Sequence, residues 1–234
     1  MSRIILIETS TSLCSTAVAV DGRIVASRES TEPRVHAAMT AVFVKEMLDE
    51  CGMTVRDCDA VAVSSGPGSY TGLRVGSSTA KGFCFGAGKP LIAVCTLDIL
   101  VRQAVEEGLV PEGCRCIRPM LDARRMEVYT APFTPDPTGE FVRSADIAPV
   151  VVDADTFAAE LAAGPVLFIG DGAAKCASVV DSANAGFVQT NPHAAAMAFL
   201  AQKAFDRGDF QDTAYFEPFY LKDFVATVSR KKLF

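Results

Sequence analysis

The chain has no tryptophan and only two histidines, His36 and His193, in unrelated segments. A zinc site or a catalytic imidazole network needs more of that residue, so neither is expected. Its eight cysteines are scattered through apolar segments, none as Cys-x-x-Cys, and Cys114-Arg115-Cys116 is too tight for ordinary chelation. They read as reduced, buried thiols, and Met1-Ser2-Arg3 runs straight into an apolar strand with no secretory leader in view. Both point to a cytoplasmic protein. Half of the residues are hydrophobic, yet charge, Gly or Pro interrupts every apolar run well short of a membrane span, so no membrane association is expected. Basic residues are outnumbered, 22 against 28 acidic, for a formal net charge of −6. That balance argues against a chain that grips nucleic acid by itself. Arg230-Lys231-Lys232 is the one basic cluster, and a short terminal run of this kind is usually solvated.

What is present is a glycine-rich turn, Ser64-Ser65-Gly66-Pro67-Gly68-Ser69-Tyr70-Thr71-Gly72, placed between a short apolar strand and a helix-like segment. Gly66 and Gly68 permit positive φ and close backbone approach, and Ser69 or Thr71 can cap the following helix. Such a turn either holds an anion or forms a tight packing corner. Upstream, residues 3–8 form a strand ending in Glu8, Ser15–Val20 a second, and Asp21-Gly22 a hairpin turn into Arg23–Arg28. Helical spacing over 36–51, a strand over 59–64, a helix over 72–87, a strand over 91–94 and a helix over 97–107 follow. Three meandering strands and then alternating helices and strands predict a mixed α/β sheet of the ribonuclease H or actin-like ATPase type.

Gly108 to Gly113 suits a linker. Beyond it the sequence predicts strands over 117–121, 127–133 and 141–152, the last weakened by Pro149. A helix over 155–163, a strand over 166–169 and helices over 173–182 and 193–206 follow. The expected organisation is an actin-like first subdomain over 1–107, a smaller one of the same type over 114–212, and a tail over 213–234.

Three strand-end turns are candidate anion or nucleotide contacts: Glu8, Thr9 and Ser10; Gly66, Gly68, Ser69 and Thr71; and Gly170 and Gly172. At the hairpin opening the second unit, Asp122-Ala123-Arg124-Arg125 stands where a phosphate loop would want glycines. Arg124 could still meet an anion by charge. The helix over 36–51 carries a wide apolar stripe including Phe43 and Met47, with Met39 and Val42 beyond it. Gly72, Gly76 and Ala80 form a small-residue stripe on the next helix. The alternatives are packing of these helices on each other or a surface completed by a partner.

The segments Ile4–Thr9, Gly66–Gly76, Asp122–Tyr129 and Glu217-Pro218-Phe219-Tyr220-Leu221 resemble the TsaB (YeaZ) family across nearly the whole chain. Older labels for this family read glycoprotease or peptidase M22. Glu8 stands where many relatives have Asp. The resemblance implies a non-catalytic partner of the TsaD-type transferase that makes threonylcarbamoyladenosine on tRNA beside the anticodon, with a small TsaE-type ATPase recruited to the complex. The catalytic relative carries paired metal-binding histidines after the fifth strand, where this chain reads Val94-Cys95-Thr96-Leu97-Asp98. The resemblance therefore implies no metal or cofactor for the isolated chain, ATP and a metal in its partners, and tRNA met through the complex. It places the partner interface on His36, Met39, Val42, Phe43, Met47, Gly72, Leu73, Gly76, Ala80 and Phe83, a surface that would also make a homodimer. The competing expectation is an enzyme acting alone, a degenerate kinase or ATPase or a peptidase.

Overall fold

The computed structural model describes residues 1–221; the basic cluster at 230–232 and most of the expected tail lie outside the described residues. The first sheet has the order β3-β2-β1-β4-β5, built from β1 (Arg3–Glu8), β2 (Cys14–Val20), β3 (Arg23–Ser30), β4 (Ala60–Gly66) and β5 (Leu91–Cys95). The first three strands are antiparallel, and β2 turns into β3 at Asp21-Gly22, where both residues have the positive φ that a two-residue hairpin turn demands. β4 and β5 run parallel to β1 after helical crossovers. Ile4-Ile5-Leu6-Ile7 is apolar without alternation because β1 is central and covered on both faces.

On one face lie α1 (His36–Glu50) and α2 (Tyr70–Ala87), with Val44, Met47, Leu48, Ala80 and Cys84 against Ile5, Ile7, Val18, Val61 and Val63. On the other face the strands offer Ala17, Ala19, Ala60 and Ala62. These small side chains admit α6 (Ala198–Arg207) and the 3-10 turn Ala194–Met197 before it. Residues 194–207, expected to belong with the second unit, thus pack on the first sheet, and the expected helix over 193–206 begins as a 3-10 turn. The burial pattern explains the difference: Ala194, Ala196, Met197, Ala198 and Ala201 complement the alanine face of the first sheet. After α6 the chain stays with the first sheet. Gln211 bridges Leu91 on β5, and residues 212–221 run along α2 as a strap. Lys81 Nζ donates to the carbonyls of Ala214 and Phe216, and Phe219 N–H donates to Ser65 O at 2.7 Å.

The second sheet has the order β10-β9-β6-β12-β13, from β6 (Cys116–Pro119), β9 (Phe133–Pro135), β10 (Phe141–Arg143), β12 (Val166–Gly170) and β13 (Ala185–Gln189). Its order and strand directions repeat those of the first sheet: three meandering antiparallel strands, then two parallel ones. This duplicated arrangement is the actin-like, ribonuclease H-like fold. The three strands expected over 117–121, 127–133 and 141–152 are each broken. Their outer halves, β7 (Leu121–Asp122), β8 (Glu127–Thr130) and β11 (Ala148–Val151), form a separate three-stranded sheet. Pro132 interrupts the middle strand because it has no N–H for the ladder, and Pro149 is accommodated because β11 lies at an edge. Two short helices, α4 (Ala158–Ala163) and α5 (Ala173–Cys176), cover this half, the latter much shorter than the expected 173–182. Between the sheets lies α3 (Thr96–Glu106). Its Leu97, Leu100, Val101 and Ala104 face Ile117, Leu167 and Ile169 of the second sheet and Leu121 of the three-stranded sheet, while Ile99 joins the first sheet's core.

Candidate functional site

A cleft of about 920 Å³ opens between the two halves. One wall is the β1–β2 turn, Ser10 to Ser12, together with the start of α2 at Gly68 to Thr71. The other is the β7–β8 hairpin from Asp122 to Glu127, with Tyr129 and Asp171. The serine wall is built by packing. Ser69 N–H donates to Ser10 O at 2.6 Å, the Ser69 hydroxyl caps α2 by accepting from Gly72 N–H, and Thr9 Oγ1 donates to Gly72 O at 2.8 Å. A Cβ added at Gly72 would press on the carbonyl oxygen of Thr9, and one at Gly76 on its hydroxyl. The small-residue stripe on α2 therefore seats β1 and its turn. Glu8 is fully buried beneath this wall and accepts from Ser10 N–H at 2.6 Å; burial pushes its carboxyl up to about 7.

The opposite wall is arginine-tipped. Arg124 and Arg125 both adopt positive φ, 71° and 51°, so the hairpin turns tightly without glycine. The amides of Ala123, Arg124 and Glu127 are spent inside the turn, on Glu127 O, the Asp122 carboxylate and Arg124 O. From α5, Lys175 reaches beneath the hairpin, pairing with Asp122 and donating to the carbonyls of Arg125 and Glu127. Asp171 accepts from Asp122 N–H at 2.8 Å, and burial raises its carboxyl to about 6.

The expected anion contacts divide. Ser10, Gly68, Ser69, Thr71 and Arg124 line the cleft, whereas Glu8, Thr9, Gly66, Gly170 and Gly172 do not. Gly170 has φ 135° and lies on the carbonyl of Met120; a Cβ at Gly172 would meet Val128 Cγ1 at 3.0 Å. Gly66 is closed by Phe219 O, 2.8 Å from where its Cβ would stand. These three glycines are packing corners. The third turn is also filled: Gln189 accepts from Ala174 N–H at 2.7 Å and donates to Asp171 O at 2.8 Å. A nucleotide on an actin-like fold needs free amides at the second hairpin and an open third turn, and the residues present do not fit that group.

The expected interface residues also divide. Met47, Leu73 and Ala80 are buried in this chain's own core, Phe43 is 8% exposed, and Gly72 and Gly76 face Thr9. Phe83 packs partly against the α1/α2 core, and Met39 is half-buried. His36 Nε2 lies 3.1 Å from Thr11 O and 3.3 Å from Leu13 O, holding the serine turn against α1. Of the ten, only Val42 is exposed, at 41%. Val44, Met47 and Leu48 of the wide stripe on α1 are consumed by the sheet and α2, which a one-helix count of apolar positions does not anticipate, while Ala37 and Ala41 of that stripe stay exposed. The outward faces carry Ala37, Ala38 and Ala41 on α1 and Phe85 on α2, the last 90% exposed. The expected interface omitted Phe85, although it is an aromatic residue off the Leu73–Ala80–Cys84 stripe, and that mismatch is readable in sequence. Lys175 was also missed, and its signal is a basic residue one turn beyond Gly170-Asp171-Gly172.

Residues 30–229 match the model of a family described as TsaD: tRNA N6-adenosine threonylcarbamoyltransferase. The tRNA threonylcarbamoyladenosine biosynthesis protein TsaB of Escherichia coli is 36% identical over 137 residues, 58% of this chain and 57% of that protein. The chain belongs to this family, in its TsaB (YeaZ) branch. This chain thus spans a little over half the length of the Escherichia coli relative. The TsaB of Bacillus subtilis is 27% identical over 217 residues, covering 86% of this chain and 87% of that one. A Pseudomonas aeruginosa structure titled as an uncharacterized protein with similarity to peptidase YEAZ superposes with a TM-score of 0.82 at 29% identity, over 95% of this chain and 100% of that one.

Proposed function

We propose that this chain is a non-catalytic subunit in the biosynthesis of threonylcarbamoyladenosine on tRNA, pairing with a TsaD-type transferase in the cytoplasm. Membership in the TsaB branch is the observation that carries this reading. Its two histidines are engaged away from the helix after β5, His36 with the serine turn and His193 with Glu29. Neither offers the imidazole pair that the resemblance assigns to the transferase. The hairpin and third turn do not fit a nucleotide, which weighs against a kinase or ATPase acting alone. A TsaE-type ATPase and tRNA join through the complex, and a homodimer forms on the same face when the chain is by itself.

Docking in this reading uses the outward faces of α1 and α2, with Val42 and Phe85 as anchors. An aromatic side chain left almost wholly in solvent is, in this reading, the apolar contact that a partner covers. Val42→Asp and Phe85→Asp place a charge there without touching the core. Sedimentation of each variant mixed with the transferase subunit tests this: the account expects folded monomers whose pairing is weakened at least tenfold, about 1.4 kcal/mol. Unchanged pairing in both would move the interface off these helices.

A further inference from the structure

The chain crosses between its two halves twice, at 107–115 and at 190–193, and the second crossing is held by side chains. Thr190 Oγ1 accepts from Gln103 Nε2 at 3.2 Å, and His193 N–H donates to Gln103 Oε1 at 3.2 Å, both to α3. Asn191 Oδ1 accepts from Ser12 Oγ at 3.4 Å, which ties the crossing to the serine wall of the cleft. The His193 ring meets Glu29 of β3, Nδ1 to Oε1, at 2.7 Å. The same carboxyl oxygen accepts from Ser15 Oγ at 2.8 Å, and Ser15 Oγ in turn accepts from Ala194 N–H at 2.9 Å. One carboxylate of the first sheet thus gathers the ring and, through Ser15, the backbone at the end of the crossing.

We propose that His193 and Glu29 form a proton-dependent latch on the 190–193 crossing, closed when the imidazole is charged and loosened when it is neutral. The groups acting on His193 are Glu29 on β3 in direct contact, then Glu107 just past α3 and Glu8 at the end of β1; all three favour the charged ring. The contact with Glu29 outweighs burial and raises the imidazole above its ordinary 6.5, while the same contact holds Glu29 below its ordinary 4.5. The sign follows from these directions. A raised imidazole stabilises the closed crossing fully below 6.5 and loses that contribution as pH rises through its folded value. A lowered carboxylate loses its contribution only as pH falls through its own, so the latch is closed between the two. Ser12 lines the cleft, so loosening the crossing releases one of the contacts that hold the cleft's serine wall.

Imidazole NMR titration of the full chain, read beside hydrogen exchange of the Ala194 and His193 amides corrected for intrinsic rate, tests the latch. His193 should titrate above 6.5, and protection of both amides should fall across that transition. Glu29→Gln should lower the His193 midpoint and remove the pH dependence of protection. A wild-type midpoint at or below 6.5, or protection that does not follow the titration, overturns the proposal. So does an unchanged midpoint in folded Glu29→Gln, and the wild-type titration decides alone if that variant does not fold.

Discussion

At the residue scale, the glycines of α2 and the acid beneath them carry the sharpest consequences. Gly72 and Gly76 lie directly on Thr9, which belongs to the central strand's turn and cannot retreat. Gly76→Leu should cost about 1–3 kcal/mol of stability by overpacking, read as a lower denaturation midpoint with unchanged slope. Glu8 makes a second prediction. Its folded value of about 7 exceeds the ordinary 4.5, so the unfolded chain releases this proton more readily than the folded one. The contribution of Glu8 to stability is therefore fully present below 4.5, declines as pH rises toward 7, and has fallen by about 3 kcal/mol once both states are ionised. Glu8→Gln should flatten that decline, measured as the difference in unfolding free energy between pH 4.5 and 8; an equal slope in the variant would contradict the burial account. The sequence made Glu8, Ser10 and Ser69 visible because they sit at the end of an unmistakable strand and turn. It could not show that Gly170 and Gly172 are packing corners, since their neighbours, Met120 and Val128, are some fifty residues away in the chain.

At the scale of elements, the first half is largely legible. β1 to β5 and α1 to α3 fall within a few residues of their sequence ranges because each carries its own signal: a continuous apolar run, an Asp-Gly hairpin, a serine cap, a left-handed Gly88 after α2. The second half is less so. Its three long strands split where a second small sheet peels away. β13 (Ala185–Gln189), a partly exposed strand with a glycine in it, had no reading in the sequence. The strap over 212–221 was expected as a tail, with Glu217 to Leu221 known only by the resemblance, because its anchors include main-chain carbonyls bonded by Lys81 across more than a hundred residues. Lys81→Met keeps the stem and removes the ammonium, so it should cost about 1 kcal/mol and loosen the strap. Protease cleavage confined to residues 211–221 would rise several-fold in the variant, whereas wild-type resistance there would show that Phe216 and Phe219 hold the strap without the lysine.

At the scale of the whole molecule, an actin-like frame survives with its two-sheet duplication and its cleft, flanked by an arginine-tipped hairpin tied down by Lys175 and by a third turn bonded through Gln189. The residues on which the resemblance placed the interface mostly serve this chain's own core, because the apolar pattern of a helix reports how much of it is apolar and not which neighbour covers it. What the fold leaves outward on α1 and α2 includes Val42, Phe85 and three alanines among charged residues such as Lys45, Glu46 and Arg74, and a subunit that acts by docking is the account that joins this surface to the TsaB branch. Reconstitution tests that claim most directly. The chain, a TsaD-type transferase and a TsaE-type ATPase are combined with tRNA, ATP, threonine and bicarbonate, and threonylcarbamoyladenosine is quantified by mass spectrometry after nucleoside digestion. The account predicts product from the full mixture, a severe loss when this chain is omitted or replaced by Phe85→Asp, and none from this chain alone. Modified nucleoside formed by this chain alone, or undiminished when it is left out, would contradict it.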